Sequence, residues 1–173
     1  MNQPFLVTIT GPESTGKSAL TEALGAHLAA AVVADVSRAY VAALQQPYTA
    51  IDILNIAEQI IMQEDKALGS GAKWIISDND LINIKIWLQY YEWHVPLWLQ
   101  QQIAKRKSAL YLLCATDLPW VPDPQRQNEH DRLAFMLRLS RSCKLSSPYR
   151  VVQGTGAERL QVALAAIHRQ LEQ

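Results

Sequence analysis

Eight consecutive residues, Gly11-Pro12-Glu13-Ser14-Thr15-Gly16-Lys17-Ser18, match the phosphate-binding pattern G-x-x-x-x-G-K-[ST] at every fixed position. A match this short gains meaning from its flanks. Residues 4–10 are apolar and β-branched, as a buried strand should be. After Ser18, Leu20, Leu24 and Leu28 recur every four residues with Ala19 and Ala23 beside them, as on a buried helix face. Strand, glycine-rich turn and helix thus arrive in the order that phosphate binding needs. Gly11 and Gly16 let the backbone bend so that its N–H groups point inward at phosphate oxygens. The helix start adds partial positive charge there. Lys17 is expected to reach the β- and γ-phosphates of ATP, and the Ser18 hydroxyl to hold Mg²⁺. Glu13, Ser14, Thr15 and Ala19 complete the expected nucleotide contacts.

The remainder of the chain alternates strand and helix. Strands are predicted over 31–35, 73–78, 109–114 and 149–152, in addition to the first. Helices are predicted over 36–44, from Thr49 to about Leu68, after Asp80, from Pro96 to about Lys107, from Asp131 to about Leu145, and after Thr155. Thr155 and Glu158 have capping-box spacing. Parallel strands need crossover helices, so the pattern predicts an α/β domain: a five-stranded, mostly parallel sheet with helices on both faces. One domain over 1–173 suits the length. With 49% hydrophobic and 18% charged residues the chain is globular, not disordered. Sixteen basic residues balance sixteen acidic ones, which gives no support to a nucleic-acid or membrane-surface partner. There is no signal-peptide pattern, so a cytoplasmic protein is the expectation.

In such sheets ligands gather at the carboxyl ends of the strands. The phosphate loop, Asp35, Asp78 and the segment after Cys114 all fall there. Asp78 ends an apolar strand, where a carboxylate can hold Mg²⁺ with Ser18. Asp80 either shares that task, binds substrate or caps the next helix. Asp35 is a candidate acceptor of substrate hydroxyls, or the base for an attacking one. Arg38 can pair with a carboxylate or phosphate, and Tyr40 can stack on a ring. The proline-rich stretch of about 117–130 reads as a lid whose charges, Arg126 with Arg132 beyond, close over the phosphates. The aromatic region of Trp87, Tyr90, Tyr91, Trp93 and Trp98 reads as core, as a homo-oligomer interface or as a substrate wall, with Tyr90 the substrate candidate.

Several of these stretches together resemble the ribosylnicotinamide kinase domain of the bacterial NadR family. They are Gly11 to Ser18; Asp35-x-x-Arg38-x-Tyr40; Asp78-x-Asp80 with Lys85-Ile86-Trp87; Asp117-x-Pro119-Trp120-x-x-Asp123-x-x-Arg126 with Arg132; and Tyr149 with Gly154-x-Gly156-x-Glu158-Arg159. The phosphate loop is common to many families, whereas the D-x-P-W-x-x-D-x-x-R stretch is far more specific. The resemblance implies a nucleotide-kinase-like P-loop fold with a lid. It also implies transfer of the ATP γ-phosphate to the 5′-hydroxyl of nicotinamide riboside, in NAD biosynthesis. Where the family tends to carry Glu preceded by an aromatic residue, this chain has Asp35 preceded by Ala34. That departure removes one expected ring wall and predicts weak or absent activity on nicotinamide riboside. The reading is therefore an ATP- and Mg²⁺-dependent kinase of a small, nucleoside-like acceptor. Its rival is an ATP-hydrolysing switch without such an acceptor.

Overall fold

The structure is a computed structural model that describes residues 4–123 and 130–172. Five strands form one sheet: β1 (Phe5–Thr10), β2 (Ala31–Val33), β3 (Trp74–Asp78), β4 (Leu110–Cys114) and β5 (Tyr149–Val152). Their order is β2-β3-β1-β4-β5, and every neighbouring pair is parallel. The helices are α1 (Lys17–Leu28), α2 (Ser37–Ala43), α3 (Ala50–Leu68), α4 (Leu81–Tyr90), α5 (Leu97–Lys105), α6 (Arg132–Ser146) and α7 (Gly156–Leu171). The predicted α/β P-loop fold, nucleotide-kinase-like, is the observed one.

Alternate strand residues serve opposite faces, as a pleated strand requires. Val7, Ile9, Leu110 and Leu112 share a core with Leu20 and Leu24 of α1 and Leu164 and Ile167 of α7. Tyr111 and Leu113 point the other way, into a core with Ile82 and Ile86 of α4 and Phe135 and Leu139 of α6. A third cluster joins Ile53, Ile56 and Ile60 of α3 to Ile84 and Leu88 of α4 and Leu99 of α5. Both faces of the sheet are thus covered, which is why the strands read as continuous apolar runs. Among the described residues no helix is long and apolar enough to cross a membrane.

Two helix starts make a useful contrast. At α3 the capping box forms: the Asp52 N–H donates to Thr49 Oγ1, and the Thr49 N–H donates back to Asp52 Oδ2. At α7 Thr155 occupies the N-cap without a side-chain cap bond, so the predicted box there is corrected. Glu158 instead lies against Gly154, where an added Cβ would meet its carboxylate at 2.8 Å.

Strand order positions the site. Because β3 lies between β2 and β1, the segment after β2, the end of β3 and the loop after β1 stand side by side. Ile9 pairs with Asp78 and Val33 with Ser77, so these ends are level. The segments after β4 and β5 flank the loop on its other side.

Candidate active site

The phosphate loop is shaped by backbone geometry at both ends. Gly11 has φ 150°, and a Cβ there would lie 2.9 Å from the Cys114 carbonyl oxygen. Gly16 has φ 75° and caps α1 in the left-handed region, which favours glycine. The first α1 hydrogen bond runs from the Leu20 N–H to Gly16 O. The amides of Lys17, Ser18 and Ala19 therefore have no helical acceptor, and all three residues line the main cavity. Inside the loop, Thr15 Oγ1 and Lys17 Nζ both donate to Pro12 O, at 2.8 and 2.9 Å. Thr15 is buried beneath the loop and does not line the cavity.

That cavity has a volume of about 380 Å³. Gly11, Pro12, Glu13, Ser14 and Gly16 to Ala19 form its phosphate end. Asp35, Ser37, Arg38, Val41, Tyr48, Asn79, Asn83, Trp87, Asp123, Arg132 and Phe135 form the rest. Asp35 Oδ1 accepts from the Ser37 N–H at 2.9 Å and from Ser37 Oγ at 2.5 Å, which fixes the carboxylate at the start of α2. Both bonds use one oxygen, so Oδ2 keeps its acceptor capacity. Arg38 forms an ion pair with Asp123. Arg132 Nη2 donates to Ser14 O and Leu118 O, each at 3.1 Å, and its guanidinium lies 5.8 Å from the Trp120 ring.

Asp78 stands directly behind the loop. The Ser18 hydroxyl hydrogen-bonds to its carboxyl, while Asp78 Oδ1 is buried without a hydrogen-bond partner. Burial raises its pKa above the ordinary carboxylate value, opposed by the Ser18 bond and the Lys17 charge. An orphaned buried carboxylate oxygen beside a serine hydroxyl fits a hard divalent cation such as Mg²⁺. No cluster of three or more His, Cys, Asp or Glu suited to a metal occurs among the described residues. Mg²⁺ bound by one or two protein oxygens together with substrate phosphates needs no such cluster.

Three predicted substrate residues sit elsewhere. Tyr40 donates to Asp52 at 3.2 Å and accepts from Asn55 at 2.9 Å, packed under α3 rather than against the cavity. Tyr90 donates to Asp131 at 2.6 Å and packs on Phe135. Asp80 caps α4 by accepting from the Asn83 N–H at 2.8 Å. It lines a small cavity of about 10 Å³ with Glu64, Arg106 and Tyr111, away from the phosphate loop. Burial pushes its carboxyl up to about 7, with the nearby Glu64 adding to the shift. Of Asp80's alternatives, capping is the one the geometry supports. Arg126 lies outside the described residues.

Tyr48, Asn79, Asn83 and Ser37 were missed by sequence reasoning. Asn79 has φ 88°, uncommon for a residue other than glycine, and its Oδ1 accepts from the Asp80 N–H and Asn83 Nδ2 at 3.0 and 2.7 Å. It stands between two acids that drew attention away from it. Tyr48 follows Pro47 in the short stretch between the helices predicted over 36–44 and from Thr49, where no role was assigned. Its ring packs edge-on to Trp87 at 5.1 Å, and its hydroxyl meets that of Tyr91 at 2.7 Å. Tyr48, Trp87 and Phe135 supply the aromatic lining, to which Ala34 does not contribute. Tyr91, Trp93 and Trp98 do not line the cavity; Trp93 and Trp98 pack against the α3–α4–α5 core, and Tyr91 stacks on Trp93.

The first half of the predicted lid is fastened down. The Val121 N–H donates to Ser14 Oγ at 2.9 Å, Leu118 lies over Gly16, and Asp117 pairs with Arg159. Residues 124–129 lie outside the described residues.

A family model described as AAA domain matches residues 6–159. The chain belongs to this AAA domain family. Among solved structures, it superimposes on a NadR protein in complex with NR with a TM-score of 0.80 at 19% identity. The match covers 98% of this chain and 52% of that one. A NadR protein in complex with NAD and AMP-PNP gives 0.78 at 18% identity, covering 98% and 50%. The chain therefore spans about half the length of these NadR structures. Thymidylate kinase from Ehrlichia chaffeensis gives 0.65 at 10% identity, covering 99% of this chain and all of that one. At these identities the likeness is one of fold. No curated protein matches the sequence significantly.

Proposed function

We propose that this protein is an ATP- and Mg²⁺-dependent kinase that phosphorylates a hydroxyl of a small, ring-bearing, nucleoside-like acceptor. The observation that carries this is the continuity of the main cavity. One chamber runs from the phosphate loop to Asp35, Asn83, Tyr48 and Trp87. A partner-switching ATPase needs the first end of that chamber and has no use for the second.

The chemistry follows from the residues present. The loop amides and Lys17 hold the β- and γ-phosphates. Ser18 and Asp78 would hold Mg²⁺, which would supply positive charge against the phosphates. Asp35 accepts the proton of the acceptor hydroxyl as that oxygen attacks the γ-phosphorus. The bond from the γ-phosphorus to the β–γ bridging oxygen breaks, and ADP leaves. Arg132, held over the loop at Ser14 and Leu118, adds positive charge to the side of the loop facing the chamber. Tyr48 and Trp87 offer apolar faces to a planar ring, and Asn83 offers an amide to its polar substituents.

Nicotinamide riboside is the first acceptor to test, since a similar fold is known with NR bound. The test is ADP release against a panel of nucleosides and vitamins with free hydroxyls. Acceptor-dependent release at least tenfold above the ATP-only rate is expected for one chemical class. Release equal for all compounds and for none would overturn the kinase reading.

A further inference from the structure

We infer that Arg159 is a positioning residue for the phosphate loop, holding it in its anion-binding conformation from beneath. The inference rests on the nucleotide-binding part of the proposed function, not on the acceptor. Arg159 is in the first turn of α7, and only 4% of it is exposed. Its guanidinium reaches three different segments. Nη1 donates to Thr15 O in the phosphate loop at 2.9 Å, and Nε donates to Gly154 O after β5 at 2.8 Å. Nη2 pairs with Asp117 after β4, and the other oxygen of Asp117 accepts from the Gly154 N–H at 2.7 Å. The charge is thus buried and paired, and each of the three nitrogens donates.

The contact with Thr15 O matters most. A trans peptide is planar, and its C=O and N–H point in opposite directions. Fixing the Thr15 carbonyl beneath the loop therefore turns the Gly16 N–H away from Arg159. Gly16 lines the main cavity and Thr15 does not, so that N–H is turned toward the phosphate end. With φ 75° at Gly16, little else in the local chain selects this orientation, because glycine is equally at ease in the opposite one. Arg159 supplies the missing selection. Lysine cannot replace it: its donors diverge from one nitrogen, whereas the guanidinium presents a rigid planar fork to three acceptors.

Calorimetric titration of ADP with MgCl2 tests this in wild type, Arg159→Met, Arg159→Lys and Leu164→Ala. Leu164 is a buried residue of the same helix, facing the sheet, and serves as a matched stability loss. We expect Arg159→Met to weaken ADP at least tenfold and Arg159→Lys to weaken it about threefold to tenfold. Leu164→Ala should stay within twofold even where its Tm falls as far. Arg159 variants within twofold of wild type overturn the inference, as does an equal loss in Leu164→Ala. If Arg159→Met does not fold, Arg159→Lys alone decides by the same twofold criterion. A wild type that binds ADP but phosphorylates no acceptor would sink the kinase reading and leave this one intact.

Discussion

At the phosphate end of the cleft, the lining comes from residues 11–14 and 16–19, a loop and helix start whose backbone amides are the groups suited to phosphate. At the acceptor end the lining comes from side chains drawn from segments scattered between Asp35 and Phe135. The first end is fixed by local chain geometry and by carbonyl contacts at Pro12, Ser14 and Thr15. The second exists only because β3 inserts between β2 and β1 and brings their carboxyl ends together. A backbone-built site tolerates side-chain change, since every residue carries the same amide. A side-chain-built site can change its ligand by single substitutions. The nucleotide end should therefore be the constant part of such a protein, and the acceptor end the part that sets specificity.

The largest expected effects test that division directly. Lys17→Ala should lower turnover by about 100-fold or more, whatever the acceptor, because its charge acts on the phosphates. Its Tm should stay close to wild type, since the ammonium is bonded within the loop itself, to Pro12 O. Asp35→Asn keeps the bonds from Ser37 but loses the base, so turnover should fall by about 100-fold. ADP binding to Asp35→Asn should stay within about twofold of wild type. Steady-state kinetics and ADP titration on the two variants check this. If Asp35→Asn loosens ADP as much as Lys17→Ala does, the cleft is not divided in this way.

A smaller effect belongs to the aromatic lining. A stacked face contributes about 1 kcal/mol, so Tyr48→Ala and Trp87→Ala should each raise the acceptor KM roughly fivefold, with little change in the KM for ATP. The two rings touch, and Trp87 Nε1 donates to the Tyr48 hydroxyl at 3.4 Å. The double variant should therefore lose less than the sum of the two losses. A change confined to the KM for ATP would move the ring pocket to the other end of the cleft.

The same division explains what could be read from sequence. The sheet, its strands and the phosphate loop were legible because each depends on a local run: apolar strands, four-residue helical spacing, fixed glycines. Asp35 and Asp78 were legible because strand ends converge in any parallel sheet. Tyr48 was not, since its place against Trp87 depends on how α3 and α4 pack, 39 residues apart in sequence. Tyr40 in α2 and Tyr90 at the end of α4 do not line the cavity, for the same reason: a helical tyrosine can face the cavity or the neighbouring helix, and packing decides. Arg159 ended one of the motifs shared with the NadR family, but no pattern in the sequence assigned it a role. Its role comes from the meeting of three loops.

The smallest expected effect on turnover concerns Asp80, which sits just outside the cleft and tests whether it belongs to either end. Its carboxyl is pushed up to about 7 from an ordinary 3.8, chiefly by burial. In the unfolded chain it ionises near 3.8, so between about pH 4 and 7 folding requires it to take up a proton. The native state then binds more protons than the unfolded one, and stability falls as pH rises through that window. Below about pH 4 both states are protonated and the penalty vanishes; above about 7 it is complete. Asp80→Asn keeps an acceptor for the Asn83 N–H, since Asn caps helices as well as Asp does. It cannot ionise, so its Tm should match wild type near pH 4 and exceed it progressively up to pH 8. One pKa unit corresponds to about 1.4 kcal/mol, and about 1 kcal/mol moves the Tm of a domain this size by about 2–4 °C. A gap of up to about 10 °C at pH 8 is therefore expected, with turnover at pH 7 within about twofold of wild type. Thermal melts across pH 4–8 decide the stability part. A Tm difference independent of pH would mean that Asp80 is ionised in the native protein throughout. A large loss of turnover in Asp80→Asn with an unchanged melt would return it to the catalytic end, beside Asp78.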